Sequence, residues 1–234
     1  MSFKTKADYY GLGAVTGLQL VSTAENKSQS VAEARGEDGF VVAVEPFGET
    51  SAPSCDLVVT NAGVTLSDII LGKITTILTK KFALANLTIT TSAGAAPTVS
   101  ASGQQVEDGA TMHCHVTLPD IEIEGLHHAQ TFGAFAVGGT GAHLTQSTLT
   151  ISGTISTATK DGAVIAHDLT DVRMTITGTI QVSDSSYGVP TVTPTTGSGW
   201  KITAPISETN PDADFPSYSF TLTKTLVADD DDED

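Results

Sequence analysis

The chain has 234 residues, 11 of them basic and 27 acidic, for a net charge of −16. That balance excludes tight wrapping of duplex nucleic acid, which depends on Lys and Arg displacing counterions from phosphate. Without the terminal run Asp229 to Asp234 the balance is still −10, from 11 basic and 21 acidic residues. Aromatic residues are only 6% and charged residues 16%, while Thr, Ser, Gly and Val abound, so the expected class is all-β, or β with one helix.

Cys55 and Cys114 are the only cysteines. They permit at most one disulfide, and stability must come from packing or assembly. Residues 1–20 carry Lys4, Lys6 and Asp8 without an unbroken apolar core, so no signal peptide is expected, and no apolar run is long enough to span a bilayer. The expectation is a soluble protein folded in its producer's cytoplasm, with no membrane partner. One domain is expected over residues 1–228, and the block at 229–234 should be a disordered acidic tail.

In chain order, Phe40 to Val44 is a short apolar run between Gly39 and Pro46 and predicts a buried strand, with Leu57 to Thr60 as its neighbour. From Leu66 the apolar positions Leu66, Ile69, Ile70, Ile74, Ile77 and Leu78 take helical spacing. Thr65 and Asp68 resemble a capping box, so a helix is predicted here, weakened by Gly72 and the β-branched residues. From Phe82 the period returns to two. Leu87 to Thr90 and Thr98 to Ser102 predict a strand pair linked through Ala93 to Pro97. His113 to Leu118 reads as a strand ended by Pro119, and Phe132 to Gly141 as a flexible or closely packed loop.

Two later stretches read almost alike: Leu149-Thr-Ile-Ser-Gly-Thr-Ile-Ser156 and Met174-Thr-Ile-Thr-Gly-Thr-Ile-Gln181. Alternation places Leu149, Ile151, Ile155, Met174, Ile176 and Ile180 on a dry face and Thr150, Ser152, Thr154, Thr175, Thr177 and Thr179 on a wet one. A single 25-residue repeat is best explained as two arms of a long hairpin over 148–182, turning at Lys160-Asp-Gly162. Near the C-terminus, Trp200 to Ala204 leads through Pro205 and the turn-rich Asn210 to Asp214 to an amphipathic strand with Tyr218, Phe220 and Leu222 on one face.

Catalytic and metal signals are thin. His113 and His115 project from one face of a strand, with His127 and His128 nearby in sequence, and imidazole with thiolate suits Zn²⁺. Alternation sends Cys114 to the opposite face, and the surrounding carboxylate and glycine spacing does not fit the cupin pattern that a His-x-His pair resembles. No metal or other cofactor is expected. His143 and His167-Asp168 are candidate bases, but no Gly-x-Ser-x-Gly elbow frames a nucleophile and no Gly-Lys-Ser/Thr loop follows Gly11, Gly13 and Gly17. An enzyme is not expected. Trp200, with Tyr218 and Phe220, suits either a carbohydrate-stacking platform or, more commonly, a core or interface anchor, and Trp200 and Phe220 are read as packing residues.

The Gly36-Glu-Asp-Gly39-Phe entry into a strand, the helix-like segment after Thr65, the hairpin from Leu149 to Val182 and the closing strands from Trp200 to Leu226 together resemble the tail-tube proteins of bacteriophages. The resemblance covers most of the chain in pattern. It implies a β-sandwich or barrel with a flanking helix, six subunits closing a ring whose hairpins form a continuous inner barrel, and rings stacking head to tail in the virion with other virion proteins. The hydroxyl face would then line a hydrated channel, and six copies would carry a net charge of about −96, so that DNA passes without sticking. Neither matched strand holds a carboxylate, so negative lumen charge would have to come from elsewhere. The competing readings are a capsid decoration protein or tail-associated adaptor, and a host- or glycan-binding β-sandwich, which would cluster exposed aromatics.

Overall fold

The computed structural model describes all residues except 1–6, 36–40, 78, 108–109, 161–162, 185–187, 210–214, 227–228 and 231–234. For residues 29–35, 41–50, 163 and 229–230, only the backbone is described. The protein is mainly β, and no α-helix of seven residues or more occurs among the described residues.

The strands in chain order are β1 (Leu18–Arg35), β2 (Val41–Val59), β3 (Val64–Thr65), β4 (Ile70–Leu71), β5 (Ile74–Ile77), β6 (Lys80–Ser92), β7 (Ala95–Val106), β8 (Thr111–Met112) and β9 (Cys114–Thr117). There follow β10 (Glu122–Ile123), β11 (Phe135–Gly138), β12 (Ala142–Lys160), β13 (Ala163–Val182), β14 (Thr191–Pro194), β15 (Lys201–Glu208), β16 (Ser217–Thr225) and β17 (Asp229–Asp230). One ten-stranded sheet dominates, in the order β1-β2-β7-β6-β12-β13-β16-β15, with β5 beside β6 and β8 beside β13. Every pairing along that order is antiparallel.

The two matched stretches are the arms of one hairpin. Leu149 pairs with Ile176, Thr150 with Thr175 and Ile151 with Met174. The hairpin is longer than the predicted 148–182, since pairing runs from Ala142↔Val182 to Lys160↔Ala163. Its turn at 161–162 lies outside the described residues. An apolar rung crosses the whole sheet as Leu20, Leu57, Val99, Ile89, Leu149, Ile176, Leu222 and Ile202. From Leu57 to Leu222 each of these is at most 1% exposed, which places the core against this face. The core continues into the short sheets β3/β10, β11/β14 and β4/β9/β17, through Val64, Leu71, Val116, Ile123, Phe135 and Val192.

The predicted helix from Leu66 does not form. Leu66–Asp68 make a single 3-10 turn, Thr65 gives no side-chain cap, and the chain continues as β4 and β5. Ile69, Ile70, Ile74, Thr75, Thr76 and Ile77 are β-branched and better served by strand geometry. Gly72 breaks any helix with a left-handed φ of 81°, where a Cβ would sit 2.9 Å from the Cys114 carbonyl oxygen. The flanking helix implied by the tail-tube resemblance therefore does not occur among the described residues.

Two predicted neighbours, Phe40 to Val44 and Leu57 to Thr60, fall largely on one strand, since β2 runs unbroken from Val41 to Val59. The Gly36 to Phe40 entry and the turn at Asn210 to Asp214 lie outside the described residues. Leu87 to Thr90 and Thr98 to Ser102 pair as predicted, Ile89 opposite Val99. Phe132 to Gly141 is closely packed, with Phe132, Ala134 and Phe135 buried and β11 paired to β14. The acidic block begins in regular structure: Asp229 pairs with His115 and Asp230 with Cys114.

Candidate functional site: a hydroxyl face on the large sheet

Antiparallel register aligns the polar residues of each strand as it aligns the apolar ones. One rung reads Ser22, Asp56, Ser100, Thr88, Thr150, Thr175, Thr223 and Lys201. The next reads Thr98, Thr90, Thr148, Thr177 and Thr221 across five adjacent strands. The face opposite the core is thus a lattice of hydroxyls. Neighbouring strands lie about 4.8 Å apart in such a sheet, and Thr90 and Thr148 share a hydrogen bond of 3.3 Å.

Of the predicted wet-face residues, Ser152, Thr154 and Thr177 are exposed and Thr150, Thr175 and Thr179 half-buried. A shallow groove of about 220 Å³ runs over this face, lined by Gln146, Thr148, Thr177, Thr179, Ser219 and Thr221. Of the predicted packing residues, Leu149, Ile151, Met174, Ile176 and Ile180 are fully buried, and Trp200 and Phe220 are 8% and 3% exposed. Ile155 is half-buried against the same core.

The face has three charged contributors beyond the predicted residues, and alternation misplaces the first of them. A bulge between Ser152↔Arg173 and Thr154↔Thr170 puts one extra residue in β13, where Asp171 takes a left-handed φ of 55°. The bulge inverts the parity of β13 beyond it, so that Leu169 turns to the core and Asp168, opposite Ser156, joins the hydroxyl face. The second contributor is Asp56 on β2, whose carboxylate accepts hydrogen bonds from Ser22 (2.6 Å) and Ser100 (2.8 Å). Those hydroxyls, Ser22 first, hold its pKa below the ordinary carboxylate value. The third, Arg173, sits opposite Ser152. The face therefore carries both signs sparsely amid uncharged hydroxyls.

The alternative chemistry is dispersed. Among the described residues no group of three His, Cys, Asp or Glu side chains is placed to hold a metal. His113 Nε2 lies 3.2 Å from the Thr111 hydroxyl, and His128 lies 3.4 Å from Glu124. Cys55 is a buried thiol, and burial pushes it up to about 11. Trp200, Tyr218 and Phe220 are all buried, so they form no exposed stacking platform. Among the described residues no helix is long and apolar enough to cross a membrane.

A scan against protein-family models finds no match for the chain, and a search of curated proteins finds no relative.

Proposed function

We propose that this chain is a virion structural protein, a tail-tube subunit that associates with itself into stacked rings, most simply hexameric, around a conduit for DNA. The observation that carries the reading is the hydroxyl lattice, which runs over adjacent strands of a wide sheet whose other face is the core. Such a face is wetted without being sticky. It offers phosphate almost no cation to bind, and with the net charge of −16 it opposes the counterion release on which duplex binding depends. The large sheet then lines the channel, and the short sheets form the outer layer of a sandwich. The helix implied by the resemblance does not occur among the described residues, so the likeness rests on the hairpin and the closing pair β15–β16.

The reading requires no cofactor, metal or catalytic residue, and it places the protein in the virion after assembly in the host cytoplasm. A capsid decoration protein or tail adaptor shares the same Thr-rich β composition and is the competing reading. The glycan-binding alternative is disfavoured by the burial of Trp200, Tyr218 and Phe220.

The test is negative-stain electron microscopy over a concentration series, with mass from light scattering. Rings or tubes with a central channel are expected. A persistent monomer or a compact trimer would overturn the tube reading in favour of decoration or binding. A channel whose wall proved strongly positive would refute the lumen assignment of the hydroxyl face.

A further inference from the structure

The two outermost strands of the large sheet carry complementary ends of the same two rungs. The polar rung ends at Lys201 on β15 and, across the sheet, at Ser22 on β1 with Asp56 beside it on β2. The apolar rung next to it ends at Ile202 on β15, 44% exposed, and at Leu20 on β1, half-buried. Lys201 and Asp56 are both exposed. Within one chain these ends do not meet: β1 and β15 lie at opposite ends of the strand order and are not paired with each other.

We infer that a second copy of this chain docks edge to edge, the β15 edge of one copy against the β1 edge of the next, pairing Lys201 with Asp56 and Ile202 with Leu20. The inference rests on the tube reading and names the surface through which neighbouring subunits meet. Placed side by side with rungs in line, the copies continue cation to anion on the hydroxyl face and apolar to apolar on the core face. Asp56 is prepared for this. Ser22 on β1 and Ser100 on β7 hold its carboxylate in place on the exposed face and leave acceptor capacity for an ammonium group. Strand β15 is poorly suited to a long backbone ladder, because two register shifts and Pro205 interrupt it beyond Ile202. Recognition must therefore lie in side chains at its start. The contact is head to tail, the type that closes into rings when the rotation per subunit permits.

The experiment is a charge swap read by light scattering and electron microscopy. Lys201→Glu and Asp56→Lys, singly, are expected to raise the concentration for half-assembly by at least about tenfold, since like charges juxtaposed at an interface are strongly unfavourable. The double variant is expected to restore assembly. Circular dichroism checks that each variant is folded, and Asp56→Asn serves if Asp56→Lys is not. Independently, Lys201→Cys with Ser22→Cys should trap intermolecular disulfides on oxidation, because aligned rungs bring their Cα atoms to about 5 Å, within disulfide range. Neither cysteine alone should do so. Assembly indifferent to both charge changes, with no crosslink, would overturn the contact and leave the tube reading standing. Charge-dependent association into something other than rings would keep the contact and overturn the tube. A wild-type chain that stays monomeric at all concentrations would sink both.

Discussion

The ring of Phe220 on β16 covers Gly178, its cross-strand partner on β13, so that a Cβ at residue 178 would meet the ring itself. Phe135 meets that ring edge-on, with centroids 4.9 Å apart. The glycine of Met174-Thr-Ile-Thr-Gly178 is thus the space in which an aromatic sits. Gly178→Ala should cost about 1 to 3 kcal/mol by overpacking, measured by urea unfolding. In a Phe220→Leu background the same change should cost less. An equal cost in both backgrounds would show that the ring is not what Gly178 accommodates.

Gly153 holds the equivalent place in the other matched stretch, but its neighbours are Leu169 and Val172, brought there by the bulge at Asp171. Alternation in the sequence was enough to give the dry and wet faces of both arms, because period two survives wherever one face is buried. It could not give Asp168 a face, since one extra residue inverts everything beyond it and nothing local in Thr170-Asp-Val172 announces that. The segment from Leu66 failed for a related reason. Its apolar spacing satisfies a helix, but Gly72 is pressed against Cys114, a contact 42 residues distant in sequence, and no local pattern reports such a neighbour. Asp56 was equally hidden, since its role depends on Ser22 and Ser100 arriving from two other strands.

The two faces predict opposite sensitivities at adjacent positions. Leu149 is fully buried in the apolar rung, and Leu149→Ala should lose about 2 to 5 kcal/mol. Thr150→Ala next to it should lose less than about 1 kcal/mol, the scale of strand preference at a half-buried site. Denaturant midpoints of the two variants compare the faces directly. Similar losses would mean that the hydroxyl face is packed against protein in the folded chain.

A small polar cluster lies within the core. Ser147 donates a hydrogen bond to the Gln130 carbonyl at 2.6 Å and lies 2.7 Å from the Thr91 hydroxyl, which in turn accepts the Gln130 N–H at 3.0 Å. Ser147 and Thr91 are fully buried. Ser147→Ala leaves the Gln130 carbonyl and Thr91 short of partners, at about 1 to 3 kcal/mol. Because Gln130 also ties down Glu124 through its side chain, amide exchange should quicken at both residues. Unchanged protection there would mean that the loop is held by other contacts.

His167 sets the response to acid. Its ring is 2% exposed, Nε2 accepts the Glu107 backbone N–H at 3.3 Å, and Nδ1 is buried without a hydrogen-bond partner. Burial lowers its pKa from the ordinary 6.5, outweighing the opposing pull of the Glu107 carboxylate. The unfolded chain therefore takes up a proton more readily than the folded one, and stability falls as pH drops below about 6.5 toward the folded value. Glu25 and Asp56, whose pKa values are lowered from 4.5 and 3.8 chiefly by hydroxyl hydrogen bonds, lose their contributions only in more acidic solution. Between pH 7.5 and 5.5 the urea midpoint should fall, and His167→Gln should flatten that slope while leaving the loss near pH 4 in place. A slope unchanged in the variant would place the titrating group elsewhere.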